Sequence, residues 1–281
     1  MTTIKQTYEE LKGTLEPLEA RRILNHVLGL DEDVLITNPN HAVDAQSQAR
    51  IKEMAKRCQA GEPLSKIIGL TEFWGLPFHV TKDTLDPRAD TETLIEAVLD
   101  YCRQNDLTDK PIQILDLGTG TGCIPIALLS ELPQATGVGV DISNAALAVA
   151  QKNAVLNELE NRIQFIKSDW CAGINLAEYD IIVSNPPYIR DEVIPNLDEN
   201  VKNHDPILAL SGGKSGLDAY EKILFSIKNE KNMTARIFFE IGFDQQNDLV
   251  RLVDESNLSL CDSRTDLGGN PRVVEIIRGD K

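Results

Sequence analysis

Apolar positions along this 281-residue chain follow two different periods. Up to about residue 70 they recur at helical spacing. Leu15, Leu18, Ile23, Leu24, Val27 and Leu28 form one stripe, and Gly29 is placed like a C-cap. Ile51, Met54 and Ala55 form a second stripe across Ala45–Ala60, which ends at Gly61. A small helical bundle accounts for most of this region. The segment Phe73-Trp74-Gly75-Leu76-Pro77-Phe78-His79-Val80 alternates and contains turn residues, which predicts a short hairpin.

From Ile112 onward the pattern becomes strand, helix, strand, helix. Ile112–Leu117, Gly137–Val140, Ile163–Lys167, Ile181–Ser184 and Ile237–Ile241 read as strands, with two further candidates at Leu258–Cys261 and Val273–Ile277. Helices are predicted after Gly122 through Leu129 and over Ala145–Asn157, with Pro125 tolerable because it falls in a first turn. This alternation predicts an α/β fold with a mostly parallel sheet covered on both faces. The expected division is a helical N-terminal domain over 1–72, a hairpin linker over 73–86 and an α/β domain over 87–281.

The first candidate chemistry lies between a strand and a helix, at Gly118-Thr119-Gly120-Thr121-Gly122. Glycine lets backbone approach a ligand, and a helix N-terminus offers free N–H groups. Asp141 ends the next strand, where a carboxylate can hold two ribose hydroxyls. A dinucleotide fingerprint requires glycine at position 123, which is Cys123. Asp116, just before the loop, suits a cationic ligand better than a pyrophosphate. S-adenosylmethionine is such a ligand, with a cationic amino group, a sulfonium and no phosphate. Asp169-Trp170 follows the third strand. There an aromatic ring can stack on adenine while a carboxylate accepts from the exocyclic amine; a lone Trp is as readily a core residue.

The second is Asn185-Pro186-Pro187-Tyr188, after the apolar run Tyr179–Ser184. Two prolines fix φ and remove two backbone donors, and each biases its predecessor away from the helical region. The bend can hold the Asn185 side-chain oxygen and the Pro186 carbonyl to accept both N–H bonds of a planar NH2 group, with the Tyr188 ring packed against it. Enzymes that methylate amide or exocyclic nitrogens use this pattern.

Composition narrows the partners. The net charge is −16, and the excess acid lies beyond residue 80. No Lys/Arg run offers a face to phosphates, so stable nucleic-acid binding is not expected. No apolar stretch is long enough to span a membrane, and the N-terminus has no apolar core of a signal peptide. Five scattered cysteines without a C-x-x-C pair imply reduced thiols, a cytoplasmic location and no metal site.

Taken together, these residues resemble the protein-(glutamine-N5) methyltransferases that modify peptide chain release factors. The resemblance runs through Gly61–Leu64, Glu72–Leu76, Pro87–Glu92, Asp116–Gly122, Asp141–Ser143, Ser168–Trp170, Ser184–Ile189 and Gly268–Val273. It implies a Rossmann-like, seven-stranded class I S-adenosylmethionine-dependent methyltransferase domain behind a helical substrate-recognition domain. It also implies that a class I release factor is the partner and the glutamine of its Gly-Gly-Gln loop the acceptor. A monomer is expected. By this resemblance Asp116, Gly118, Thr119, Gly120, Thr121, Gly122, Asp141, Asp169, Trp170 and Asn185 would hold the cofactor. Asn185, Pro186, Pro187 and Tyr188 would hold the acceptor, with Asn185, Pro186 and Tyr188 carrying catalysis. Asp205 and Ile207 stand where the family usually has Glu and Arg, Asp86 stands where an apolar residue is commoner, and Lys214-Ser215-Gly216 replaces a more acidic stretch. Within Pro87–Glu92, Glu92 is expected to be structural, and Arg88 fits either substrate docking or an ion pair. Two other readings compete: a nucleic-acid adenine or guanine amino-methyltransferase, and a non-catalytic S-adenosylmethionine-binding adaptor.

Overall fold

The computed structural model describes residues 2–30 and 34–278. The outermost positions of the expected domains, 1 and 279–281, lie outside the described residues. Two compact units are present: Met1–Leu70 with Asp198–His204, and Thr71–Leu197 with Asp205–Lys281.

The first unit is helical. It contains α1 (Ile4–Lys12), α2 (Pro17–Leu28), α3 (Val34–Thr37), α4 (Ala45–Gln59) and α5 (Leu64–Ile68). Local signals set the ends. Thr3 and Gln6 form a capping box on α1, Pro17 opens α2, and the Asp44 side chain caps α4. Gly29 closes α2 in the left-handed conformation, φ 63°. Ile4, Leu11, Ile23, Leu24, Ile51, Met54 and Ala55 bury together in one small core. Leu18 departs from the expected stripe and is half exposed.

The second unit opens with a hairpin, β1 (Leu70–Phe73) and β2 (Leu76–His79). It begins before Phe73, where alternation placed it, and is complete by His79. Trp74 and Gly75 form its two-residue turn, both at positive φ. A two-residue turn with φ positive at both positions matches strand twist but is costly for a bulky side chain. Two acids hold Trp74 there: Glu92 accepts its backbone N–H at 3.1 Å and Glu131 its indole N–H at 2.9 Å.

Seven further strands form one sheet: β3 (Gln113–Leu117), β4 (Thr136–Asp141), β5 (Ile163–Lys167), β6 (Ile181–Ser184), β7 (Arg236–Glu240), β8 (Leu258–Thr265) and β9 (Pro271–Arg278). Their order is β5-β4-β3-β6-β7-β9-β8, with β9 antiparallel to its neighbours. The α/β class and the parallel core are therefore as the element alternation predicted. The helices are α6 (Glu92–Gln104), α7 (Cys123–Glu131), α8 (Asn144–Leu156), α9 (Glu199–His204, in the first unit), α10 (Ile207–Leu210), α11 (Asp218–Asn229) and α12 (Gln246–Glu255).

The pleat sorts side chains to two cores. Ile114, Ile181, Val183 and Phe238 pack with α6 and α7 on one face; Leu115, Ile182, Ile237 and Phe239 pack with α11 and α12 on the other. Burial on both faces explains why these strands read as continuous apolar runs. Helix α7 is buried from Cys123 through Leu129, as its all-round apolar sequence requires. Pro125 is its third residue, where the missing N–H has no intrahelical partner to lose.

One buried polar side chain ties hairpin, helix and loop together. Asn153 of α8, fully buried, accepts the His79 N–H at 2.7 Å. Its amide donates to the carbonyls of His79 at 3.0 Å and Thr121 at 2.9 Å. Asn153→Ala strips all three partners at once. It is expected to destabilise the second unit by roughly 2–4 kcal/mol. Denaturant unfolding followed by tryptophan fluorescence, which reports on Trp74 and Trp170 in this unit, measures the loss.

Candidate active site

The sheet order reverses between β3 and β6, and both strands end at the same edge. Ile114, Leu115 and Asp116 pair with Ile181, Ile182 and Val183. The buried Ser184 hydroxyl donates to the Leu117 carbonyl at 2.6 Å, joining the two ends. The loops that leave β3 and β6 therefore lie side by side.

The loop leaving β3 is the glycine loop. The N–H groups of Gly118 and Thr119 both bond the Val140 carbonyl, at 2.9 and 2.8 Å. Gly118 has φ 76°, and a Cβ there would stand 3.1 Å from the Trp170 ring, so only glycine fits under the indole. At Gly122, φ 78°, a Cβ would press on Ala150, Ile126 and Phe165, so glycine lets α7 close onto α8 and β5. Asp141 fastens the loop from the next strand. Its carboxylate accepts the Gly120 N–H at 2.9 Å and the Ser143 N–H at 2.9 Å. A carboxylate has about four acceptor positions, so about two remain for a ligand. This fastening role was not foreseen.

Trp170 sits at φ 53°, an uncommon conformation for a bulky residue. The Ser168 hydroxyl donates to its carbonyl at 2.9 Å and helps hold it there.

A cavity of about 610 Å³ opens at this edge, within the range of small-ligand sites. Of the expected residues, Gly118, Gly120, Asp141, Asp169, Trp170, Asn185 and Pro187 line it. Asp116, Thr119, Thr121 and Pro186 are buried and lie outside the lining, as do Gly122 and the partly buried Tyr188. Asp116 is fully buried, and neither carboxylate oxygen has a hydrogen-bond partner among the described residues. Burial pushes its pKa up to about 7; the nearby Thr119 hydroxyl offsets this in part, and Asp141 adds repulsion. A buried acceptor without a donor points to a donor that a ligand brings.

In the loop leaving β6, Asn185 donates from Nδ2 to the Thr91 hydroxyl at 3.2 Å. The backbone behind it is tightly clasped. Gln245 Nε2 donates to the carbonyls of Tyr188 and Gly216, each at 3.0 Å. A Cβ on Gly212 would meet the Pro187 carbonyl at 2.7 Å. The Tyr188 hydroxyl lies 3.5 Å from Glu240, a carboxylate buried at the end of β7.

The segment Arg88–Glu92 is held by its contacts. Arg88 pairs with the buried Asp205 at 2.7 Å, the ion-pair contact that was one of the two readings for it. Asp90 pairs with Arg272 at 3.1 Å, and Arg272 with Asp266 at 2.9 Å. Glu92 is structural, as expected, holding the Trp74 turn. Of the residues that departed from the family pattern, Ile207 is half exposed, while its neighbours Pro206 and Leu208 line the cavity. Thr91, Glu240 and Gln245 were not singled out from sequence. Glu240 had a signal, an acid closing an apolar strand; Thr91 and Gln245 had none beyond their motif neighbours.

The chain matches the family model for the methyltransferase small domain over residues 91–203 and that for the PrmC N-terminal domain over residues 3–69. A release factor glutamine methyltransferase of Agrobacterium fabrum is 42% identical over 267 residues, covering 95% of this chain and 92% of that protein. One from Francisella tularensis is 39% identical, covering 92% and 89%. Among solved structures, the hMettl16 catalytic domain in complex with a 3′UTR hairpin superposes with TM-score 0.58 at 17% identity, covering 82% of each chain. A human methyltransferase 10 domain containing protein superposes with TM-score 0.52 at 16% identity, covering 74% of this chain and 91% of that one. At such identities these two likenesses concern the fold alone.

The Asp116 carboxyl gives a pH test. Its folded pKa, near 7, exceeds the ordinary 3.8, so the folded chain holds the proton more tightly. The burial penalty is absent below about pH 3.8, grows as pH rises toward 7 and is complete above it. Asp116→Asn removes the charge. The variant is expected to melt higher than the parent chain at pH 8, with the gain shrinking as pH falls from 7 toward 5, measured by paired thermal scans.

Proposed function

This chain belongs to the release factor glutamine methyltransferase family, and we propose on that premise that it moves a methyl group from S-adenosylmethionine to a protein glutamine. The acceptor is the side-chain amide nitrogen, N5, of the glutamine in the Gly-Gly-Gln loop of a class I peptide chain release factor. The effect is to modulate translation termination. The observation that supports the reading is the cavity wall shared by Asn185 with Gly118, Gly120 and Asp141, residues we assign to acceptor and donor.

The residues present fit this donor. Asp116 is a buried carboxylate with no hydrogen-bond donor among the described residues, and a cationic amino group would supply one. Asp141 keeps acceptor positions for ribose hydroxyls. Trp170 over Gly118, with Asp169, offers a face and an acceptor for adenine. When bound, S-adenosylmethionine supplies an electrophilic methyl on a sulfonium that departs as a neutral thioether.

A carboxamide nitrogen is a poor nucleophile because its lone pair is delocalised into the carbonyl. The work of the protein is therefore positioning. The Asn185 side-chain oxygen and the Pro186 carbonyl accept the two N–H bonds of the glutamine amide, fix its nitrogen and raise its electron density. The rigidity of the Pro186-Pro187 bend and its clasp by Gln245 support this role. The Tyr188 ring packs against the amide. The nitrogen gains a bond to the methyl carbon and gives one proton to solvent. Holding reacting atoms about 3–3.5 Å apart and in line is worth several kcal/mol.

The helical unit, which matches the PrmC N-terminal domain, is the part we assign to recognising the release factor. A protein substrate accords with the −16 charge, which disfavours a nucleic-acid acceptor. No described helix is long and apolar enough to cross a membrane. With its described cysteines free, the chain is assigned to the cytoplasm, acting as a monomer.

Radiolabelled donor should transfer label to purified release factor and not to its Gln→Ala variant. Label in nucleic acid alone would select the base-modifying alternative, and label nowhere the adaptor. Asn185→Ala should lower kcat by roughly 100-fold or more while leaving donor affinity within about threefold. Single-turnover transfer and titration calorimetry separate the two effects.

A further inference from the structure

The Asn185-Pro186-Pro187-Tyr188 bend is held at its near end by the sheet. Ser184 pairs with Phe239 of β7, and its hydroxyl bonds the Leu117 carbonyl. Past the bend, the chain pairs with the segment that follows α10. The Ile189 N–H bonds the Leu210 carbonyl at 3.0 Å, and the Gly212 N–H bonds the Ile189 carbonyl at 2.9 Å. Residues 211–217 form a loop between α10 and α11, so this pairing alone would let bend and loop shift together.

One buried amide ties both to the end of the sheet. Gln245, 2% exposed, directly precedes α12, in the turn that follows β7. Its Nε2 donates to the carbonyls of Tyr188 and Gly216, each at 3.0 Å. Its Oε1 accepts the Gly242 N–H at 3.0 Å. A carboxamide has two N–H donors, and both are used. Flipped, it would set its oxygen against two carbonyl oxygens and an N–H against an N–H, so its direction is fixed.

The backbone around the amide leaves room for nothing else. A Cβ on Gly216, at φ 78°, would stand 2.6 Å from the Tyr188 carbonyl oxygen and 2.7 Å from Gln245 Nε2. A Cβ on Gly242 would stand 2.9 Å from Gln245 Oε1. Another tie between the same segments, Arg190 with Asp244 at 3.1 Å, is a partly exposed ion pair of the kind that contributes little.

We propose that Gln245 is a positioning residue for methyl transfer: by joining the Tyr188 carbonyl to the turn after β7, it fixes the far end of the bend that presents the Asn185 oxygen and the Pro186 carbonyl. Between the two held ends, the prolines fix two φ angles. Anchoring both ends therefore leaves the bend few ways to move. Gln245 does not touch substrate; it acts through the bend. The effect on activity rests on the methyl-transfer reading, whereas the clasp is a property of the free protein.

Kinetics of the full chain with release factor, run well below the melting range of every variant, are paired with 1H–15N spectra of two side-chain NH2 groups. Those of Asn185 and Gln245 are identified by their loss in Asn185→Ala and Gln245→Met. Gln245→Met keeps nearly the length of the side chain and removes all three bonds. It is expected to lose roughly 10–100-fold in kcat, with KM and donor affinity within about threefold. Gln245→Asn, one methylene shorter, should lose kcat likewise, and the Asn185 signals should move in both variants. Val253→Ala removes buried packing from α12 without touching the clasp. It should melt lower, yet keep kcat within about threefold of the parent and leave the Asn185 signals in place. In the parent chain the Gln245 NH2 protons should exchange with solvent at least about tenfold more slowly than those of the exposed Asn247.

A Gln245→Met with parental kcat overturns the proposal, as does one whose loss falls on KM instead. So does a Val253→Ala as impaired in kcat as the methionine variant, because the loss then reflects a loosened helix. Should the methionine variant fail to fold, a Gln245→Asn with parental kcat and unmoved signals overturns it equally, as does Gln245 exchange as fast as that of Asn247. Slow Gln245 exchange together with no methyl transfer by the parent chain would leave the clasp standing and remove the functional reading instead.

Discussion

The parallel pairing of β3 with β6 is the contact on which the rest depends. It joins two segments 67 residues apart in sequence, and the Ser184–Leu117 bond seals their ends. Because the strand order reverses there, the loops that leave the two strands diverge and leave a crevice. One loop is built of glycines whose backbone lacks a Cβ to bar close approach; the other is built of prolines that fix the chain. A close-approach backbone facing a stiff bend suits a bimolecular transfer, in which both reactants must be held in line. If the register of β3 on β6 slipped by one residue, every inward side chain would change face and Asp116 would leave the core that holds it.

The rigid wall is rigid for reasons that lie elsewhere in the chain. Four polar side chains of Arg88–Glu92 each have a separate anchor: Asp205, Arg272, Asn185 and the Trp74 backbone. These anchors come from the loop before α10, from β9, from the turn after β6 and from the hairpin. Single surface ion pairs are worth little, commonly under about 1 kcal/mol. Here Arg88 and Asp90 are themselves half exposed, so their pairs with Asp205 and Arg272 contribute register more than stability. What the set achieves is to place Thr91 behind Asn185 with little freedom to move. The Gly268–Val273 motif belongs to the same construction, since Asp266 and the Ile241 carbonyl fix the Arg272 guanidinium that meets Asp90.

The legibility of this molecule followed the range of its interactions. Strand and helix positions in the sheet domain could be read because both faces of the central strands β3, β6 and β7 are buried and the turns are marked by glycine and proline. Gly29 was readable as a cap because left-handed backbone leaves a residue-type signature. The short helices α3, α9 and α10 were not readable, being too brief to show a period. Strands β8 and β9 each run to eight residues, longer than expected, because half-exposed Ser, Asp and Arg interrupt their apolar pattern. At the site, motif residues announced themselves, but their supports did not. Thr91 and Gln245 are ordinary polar residues whose importance is a matter of contacts made across 94 and 57 residues of sequence.

Such a site also burdens the fold that carries it. Asp116 and Glu240 are carboxylates buried on either side of the β3–β6 junction, and burial raises the pKa of each. A structure selected for stability alone would place apolar residues there, since burying an unpaired charge is costly and a well-packed hydrophobic substitute is not. Their positions differ in what relieves them. Neither Asp116 oxygen has a hydrogen-bond partner among the described residues, and only the nearby Thr119 hydroxyl offsets part of its burial. Thr91, Tyr188 and Arg272 each favour the charge of Glu240, yet burial outweighs them and its Oε2 has no hydrogen-bond partner among the described residues. Both acids carry the cost of burial, Asp116 with only the Thr119 hydroxyl to offset it and Glu240 with three groups that do so.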